Sequence, residues 1–241
     1  MSASPPCWRA SAALSPNIRL PFAPKQDYST GGGSPVSIAL GDVNGDGKKD
    51  IVTGDGENGA VSVLLNNGDG TFRARDYDAP GAASVALGDL NGDGKLDIAV
   101  ASADSGVSIL INAGDGTLLR RHVYRVLATL YSDVGDPRSI AIADLNGDHK
   151  PDLVTANFDR HVSLLLNGGA GTFRSTIDVG AYKCGDVFQS DRALALGDLN
   201  GDRRADITVA SDTGLCVTLA KPGLCNVQSA TPTRWGTRRA R

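Results

Sequence analysis

The stretch GDVNGDGKKD, residues 41–50, returns three times: GDLNGDGKLD at 88–97, ADLNGDHKPD at 143–152 and GDLNGDRRAD at 197–206. Each copy puts acids or amides at positions 1, 3, 5 and 9 of a loop, beginning with Asp42, Asn44, Asp46 and Asp50. The second set is Asp89, Asn91, Asp93 and Asp97, the third Asp144, Asn146, Asp148 and Asp152, and the fourth Asp198, Asn200, Asp202 and Asp206. Three carboxylates so close in sequence repel one another unless a cation lies between them. An all-oxygen donor set of this kind suits a hard ion such as calcium. The spacing predicts four calcium loops, each completed by the backbone carbonyl at position 7, from Lys48, Lys95, Lys150 or Arg204.

Two rival readings use the same residues. Asp, Asn and Gly make good turns without metal, but a bare turn gives no reason for all four copies to hold every liganding position. An EF-hand loop opens in the same way, yet it needs flanking helices and a bidentate Glu at position 12. That position is Thr53, Val100, Thr155 or Val209, and none carries a carboxylate. The flanks, SIAL before and DIVT after the first loop, are short and alternate with period two. The loop therefore joins two strands.

The rest of each repeat follows in register. First strands are SIAL (37–40), SVAL (84–87), SIAI (139–142) and ALAL (193–196), with large side chains such as Ile38 and Leu40 on one face and Ser37 and Ala39 on the other. Such a strand fits where neighbouring sheets approach closely around an axis. Second strands are DIVT, DIAVA, DLVTA and DITVA. Third strands are VSVLLN (61–66), VSILIN (107–112), VSLLLN (162–167) and a shortened VTLA (217–220). The turns NNGDGTF, NAGDGTL and NGGAGTF then supply Gly where positive φ is needed. Spacings of 47, 55 and 54 residues between first loop aspartates, with four strands per repeat, predict propeller blades.

These motifs together, F-x(5)-Y, then P-x-S-I-A-L-G-D-x-N-G-D-G-x-x-D-I-V, then V-S-V-L-L-N-x-G-D-G-T-F, resemble the FG-GAP/VCBS-type repeat of the integrin alpha-subunit propeller and its bacterial relatives. The resemblance covers residues 22 to about 221. It implies an all-β β-propeller with calcium in hairpin loops on one face and ligands bound on the other. It also implies a ring of usually seven blades, so the four loops here are expected to belong to a larger or incomplete ring. Position 6 departs from the pattern. Gly47 and Gly94 give way to His149 and Arg203, where a left-handed turn costs a non-Gly residue about 1 kcal/mol. The first two loops are therefore the expected stronger calcium sites.

Outside residues 22–221 the repeat stops. Residues 1–21 mix Ser, Pro, Ala and Arg without period and read as a disordered leader, and Phe22 to Tyr28 reads as an outer strand whose own blade is absent. The tail, residues 222–241, lacks the expected turn and outer strand and reads as the product of a frameshift. The rival reading is a closed ring of four in which Phe22 to Tyr28 completes the last blade. Cys184 and Cys216 fall at one end of the fourth repeat, and the choice there is between a disulfide and two separate thiols.

The formal charge is −3, and four bound calcium ions would turn it to about +5. That charge is too weak to argue for nucleic acid, and no recognition helix or aromatic platform is present. No apolar run is long enough for a membrane span. Loops of modest calcium affinity work best outside the cell, so a secreted location is expected although no signal peptide is visible. No nucleophile elbow, zinc-helix motif or phosphate loop occurs, and an enzyme is not expected.

A binding or adhesion module for protein or carbohydrate is the expected function. The alternatives are a ligand-free spacer or the accessory domain of a secreted enzyme whose catalytic part is absent. Phe22, Phe72, Phe173, Tyr28 and Tyr77 recur at repeat positions and are expected to pack. Tyr124, Tyr131, Phe158, Tyr182 and Phe188 do not recur, and they fall near loops at the end of the blades opposite the calcium loops. With Arg138, Asp159, Arg160 and His161 they form the candidate ligand surface, unless they merely plug the blade ends.

Overall fold

Alternating apolar residues between the Gly-rich turns give fifteen strands among the described residues. The computed structural model describes residues 23–56, 59–103, 105–126, 136–158, 161–181, 191–211 and 214–221. Blade 1 contains β1 (Pro35–Gly41), β2 (Asp50–Asp55), β3 (Ala60–Asn66) and β4 (Phe72–Asp78). Blade 2 contains β5 (Ala82–Gly88), β6 (Asp97–Ser102), β7 (Gly106–Asn112) and β8 (Leu118–Tyr124). Blade 3 contains β9 (Pro137–Ala143), β10 (Asp152–Asn157), β11 (His161–Gly169) and β12 (Thr172–Ala181). Blade 4 contains β13 (Asp191–Gly197), β14 (Asp206–Ser211) and β15 (Gly214–Thr218).

Each blade is an antiparallel meander in chain order, with four strands in blades 1 to 3 and three described strands in blade 4. No helix occurs among the described residues. The register repeats from blade to blade. Ile38 lies opposite Thr53 and Leu40 opposite Ile51, just as Val85 faces Val100 and Leu87 faces Ile98. Ile140 and Ile142 then face Thr155 and Leu153, and Leu194 and Leu196 face Val209 and Ile207. One period-two pattern thus places the same side chains on the same face four times.

The blades stack in sequence, β1 against β5, β5 against β9 and β9 against β13. The core lies in the three seams between them. In the first seam, Val43, Val52, Val61 and Val63 of blade 1 pack on Val85, Ile98, Val100 and Leu110 of blade 2. In the second, Leu90, Val107 and Ile109 meet Ile140, Leu153, Leu165 and Phe173. The third joins Val154, Ala156 and Val162 to Ile207 and Val209. Each fully buried aliphatic side chain contributes about 1.5–3 kcal/mol. Each interior blade therefore has a leading face, seated on the blade before it, and a trailing face that receives the blade after it.

Three sequence expectations need correction. Residues 23–30 form no strand, although Phe22 to Tyr28 reads as an outer one; Phe22 itself lies outside the described residues. The third strand of blade 4 runs from Gly214 to Thr218 rather than over 217–220, because its register is set by Val209 opposite Cys216. Tyr124, expected among the unshared aromatics, is a repeat residue. Its hydroxyl donates to Gly171 O at 3.3 Å, as Tyr77 does to Gly116 O at 2.9 Å and Tyr28 to Gly70 O at 3.1 Å. Its ring meets Phe173 edge-on at 5.5 Å, as Tyr28 meets Phe72 at 5.4 Å. Tyr124 is therefore packing, a latch from one blade to the next.

Cys216 is disulfide-bonded, whereas Cys184, Cys7 and Cys225 lie outside the described residues, as do 1–22 and the tail from 222.

Candidate functional site

All four repeated loops fold alike, around their first aspartate. Asp42 Oδ1 accepts from Gly45 N at 2.7 Å and Asp46 N at 3.1 Å, and Oδ2 accepts from Gly47 N at 2.8 Å. Asp89 binds the amides of Gly92, Asp93 and Gly94 in the same way. Asp144 holds Gly147, Asp148 and His149, and Asp198 holds Gly201, Asp202 and Arg203. The third residue helps, since Asn44 Oδ1 accepts from Asp46 N at 3.0 Å, as Asn91, Asn146 and Asn200 do for Asp93, Asp148 and Asp202.

Presenting the position 6 amide to that carboxylate requires positive φ. Gly47 and Gly94 reach it at 80° and 82°, and His149 and Arg203 adopt it at 63° and 66°. The strain expected of the last two loops is present. Their backbone bonds are nonetheless intact.

The ninth residue anchors the loop from beneath. Asp50 is fully buried, with Oδ2 accepting from Val43 N at 2.9 Å and Oδ1 from Asn66 N at 2.8 Å. Asp97 spans Leu90 and Asn112, and Asp152 spans Leu145 and Asn167. Asp206 spans Leu199 and Ala220. One carboxylate thus ties each loop to the third strand of its own blade, or in blade 4 to Ala220 just past that strand. Burial pushes the Asp97 carboxyl up, the Asn112 and Leu90 amides pull it back, and the charges of Asp93 and Asp89 push it up again. Asp152 has the same balance with Asn167, Leu145, Asp148 and Asp144. A cation in the loop would reverse the repulsive part.

At position 7, read from sequence for its carbonyl, the side chain makes contacts of its own. Lys48 Nζ lies 2.9 Å from Asp46 Oδ2, and Lys150 Nζ lies 3.1 Å from Asp148 Oδ2. The Lys48 side-chain bond is the first cause holding the Asp46 carboxyl below its usual range. Lys95 is looser, 3.8 Å from Asp93 while donating to Ala113 O at 2.6 Å. Among the described residues no three acidic, His or Cys side chains converge as an assembled metal cluster. The donor chemistry still fits a hard cation: each loop offers only oxygens, and each carboxylate oxygen that accepts one amide keeps a second lone pair.

Sequence reasoning also missed a clasp between blades. Asn112 Nδ2 donates to Val43 O of the preceding blade at 2.7 Å and to Leu96 O at 2.9 Å. Asn167 Nδ2 repeats this on Leu90 O and Pro151 O. The signal was the Asn that ends β3 and β7 and stands at 167 near the end of β11. Two grooves, of about 410 and 260 Å³, open between consecutive loops; the larger is lined by Asp89, Asn91, His149 and Lys150, and the smaller by Asp144, Asn146, Arg203 and Arg204.

At the opposite end of the blades, Phe158 follows β10 and is 53% exposed. The Arg138 guanidinium stands 5.4 Å from its ring centroid and donates to Asp136 Oδ2 at 2.9 Å. Phe158 N in turn donates to Asp136 O at 3.0 Å. The structure thus brings Phe158 and Arg138 together. His161 opens β11 nearby and is half-buried. Tyr131, Asp159, Arg160, Tyr182 and Phe188 lie outside the described residues.

A family model described as FG-GAP-like repeat matches residues 42–100, 89–155 and 144–209. No curated protein matches the chain. Among solved structures, an Agrocybe aegerita lectin described for specific recognition of non-reducing terminal N-acetylglucosamine is similar, with 27% identity and a TM-score of 0.53. The match covers 76% of this chain and 48% of the lectin, so the chain spans about half the lectin's length. BBS1N, solved in complex with ARL6DN, matches with 15% identity and a TM-score of 0.50 over 77% of this chain and 57% of that one. It shares the fold.

Proposed function

Because this chain belongs to the FG-GAP-like repeat family, we propose that it is an extracellular, calcium-stabilised β-propeller module that binds a carbohydrate or protein ligand. The ligand sits at the end of the blades opposite the calcium loops, and the module has no catalysis of its own. The observation that carries this reading is the exposed Phe158 ring under the Arg138 guanidinium, an apolar surface with fixed polar groups beside it. An aromatic face with convergent polar groups suits the apolar side of a sugar ring or a peptide side chain. The likeness to an N-acetylglucosamine-recognising lectin supports the carbohydrate alternative first.

Calcium would be held by Asp42, Asn44, Asp46 and Asp50, with the Lys48 carbonyl, and by the corresponding residues of the other three loops. Its chemistry there is structural: it supplies the positive charge that lets neighbouring carboxylates share one loop. The Lys48 and Lys150 ammonium groups hold part of that charge and would give way to the ion. The disulfide at Cys216 suits an oxidising compartment. Among the described residues no helix is long and apolar enough to cross a membrane.

The test is a titration against a panel of glycans with and without terminal N-acetylglucosamine, using the full chain in calcium. One class should bind, and Phe158→Ala should weaken it by roughly tenfold, as loss of an aromatic anchor does. Binding unchanged by both Phe158→Ala and Arg138→Ala removes this face from the account.

A further inference from the structure

We infer that two copies of this chain associate head to tail, the leading face of blade 1 in each seated on the trailing face of blade 4 in the other, closing one ring of eight blades. Interior blades show what these faces are built to meet. Val85 and Ile140, the leading-face residues of blades 2 and 3, are each 6% exposed, whereas their blade 1 equivalent Ile38 is 65% exposed and the adjacent Leu40 63%. On the trailing side, Val61, Val107 and Val162 are fully buried, and so are Val63 and Ile109. Their blade 4 counterparts Leu215 and Val217 are 65% and 49% exposed. At the second position of the metal loop, Val43 and Leu90 are buried beneath the next blade, and Leu199 is 58% exposed. Both ends therefore expose the apolar surface that the three internal seams cover, and among the described residues neither end covers the other.

The polar contacts of a seam are also left half-made at each end. Asn112 and Asn167 clasp the carbonyls of Val43 and Leu90 across their seams. Asn66, their equivalent in blade 1, bonds Lys49 O of its own blade, and the matching carbonyl at the far end belongs to Leu199. The tyrosine latch is similar. Tyr28 already lies on Phe72 and Gly70 O as Tyr124 lies on Phe173 and Gly171 O. Residues 23–28 thus stand where the outer strand of a preceding blade would end. Blade 4 has three described strands, and residues 23–28 of the other copy, which form no strand in the single chain, come to lie along its open outer edge.

Apolar pattern, amide clasp and tyrosine latch all specify the occupant as another blade of this repeat. A second copy satisfies both ends at once, and two copies of the matched stretch span nearly the length of the lectin chain. A head-to-tail contact of this kind closes into a ring when its rotation fits, and otherwise makes filaments.

The experiment is sedimentation velocity on the full chain in millimolar calcium, with Leu40→Asp as the leading-face variant and Val217→Asp as the trailing-face variant. Both side chains are exposed in the single chain, and a far-UV circular dichroism spectrum checks that each variant folds. The parent should sediment at twice the chain mass and each variant as one chain. An equimolar mixture of the two variants should regain the pair, because one of its two seams is unmutated. Asn66→Ala should weaken pairing roughly 25-fold, the size of one hydrogen bond at each of the two seams. A monomeric parent at tens of micromolar overturns the inference, as does a Val217→Asp variant that still pairs, a mixture that stays monomeric, or a parent that forms only larger assemblies.

Discussion

The seam between blades 1 and 2 and the seam between blades 3 and 4 are built from the same positions but not to the same completeness. In the first, Val43 lies buried beneath blade 2, Val100 and Ile98 are fully covered, and Asn112 clasps the Val43 carbonyl. In the last, Leu145 is only partly covered, Ile207 and Val209 keep slight exposure, and Ala220 stands where the clasping Asn would be. Yet the repeated loop of blade 4 makes the same bonds from backbone amides to its aspartates that the first loop makes. The loop is a local device that needs only its own blade, whereas a seam needs two blades to agree. The repeat therefore loses its seam contacts while keeping its loops.

The largest expected contrast comes from the buried ninth aspartate. Asp97→Ala leaves the Leu90 and Asn112 amides without an acceptor beside a complete seam and should cost about 3 kcal/mol. Asp206→Ala, beside the exposed end, should cost roughly half of that, because water reaches its amides. Urea unfolding of both variants measures the difference, and equal losses would break the contrast between the two ends.

The clasp gives a smaller, signed pair. Asn112→Ala should destabilise by about 1–2 kcal/mol, and Ala220→Asn, which offers a donor to the Leu145 carbonyl, should stabilise by up to about 1 kcal/mol. A neutral Ala220→Asn would show that the last seam is loose for some other reason. Smallest is the backbone term at position 6. His149→Gly and Arg203→Gly should each stabilise by about 1 kcal/mol, since both residues hold φ above 60°. Gly47→Ala should destabilise by a similar amount, and a melt of the three variants under one calcium concentration checks the signs.

Much of this was legible before any coordinates. Four loops, the strands around them, their register and the strain at His149 and Arg203 all follow from period-two patterning and the Gly positions. What the sequence hid depends on contacts between blades. Tyr124 escaped notice because Leu118 stands where Phe72 begins the pattern, and a bulge between Ile111 and Asn112 shifts the register of β8. Asn112 and Asn167 read as turn residues, since nothing local shows that their second hydrogen reaches a carbonyl 69 or 77 positions away. The lysine at position 7 was read only for its carbonyl, because side-chain direction in a loop is set by its φ angles rather than by spacing. Phe158 and Arg138 were both legible as members of the candidate surface, the aromatic by not recurring, while their contact with each other was not, because it is fixed by β9 packing beside β10.

The central claim is that these loops bind calcium and that the bound ion stabilises the folded blades, and thermal melting of the full chain in millimolar calcium and in chelator tests it most directly. Metal that binds only the folded state adds roughly 2.7 kcal/mol per site at a hundredfold excess over the dissociation constant, so four sites predict a melting temperature lower by more than about 10 °C in chelator. The same melting temperature in both solutions would contradict it.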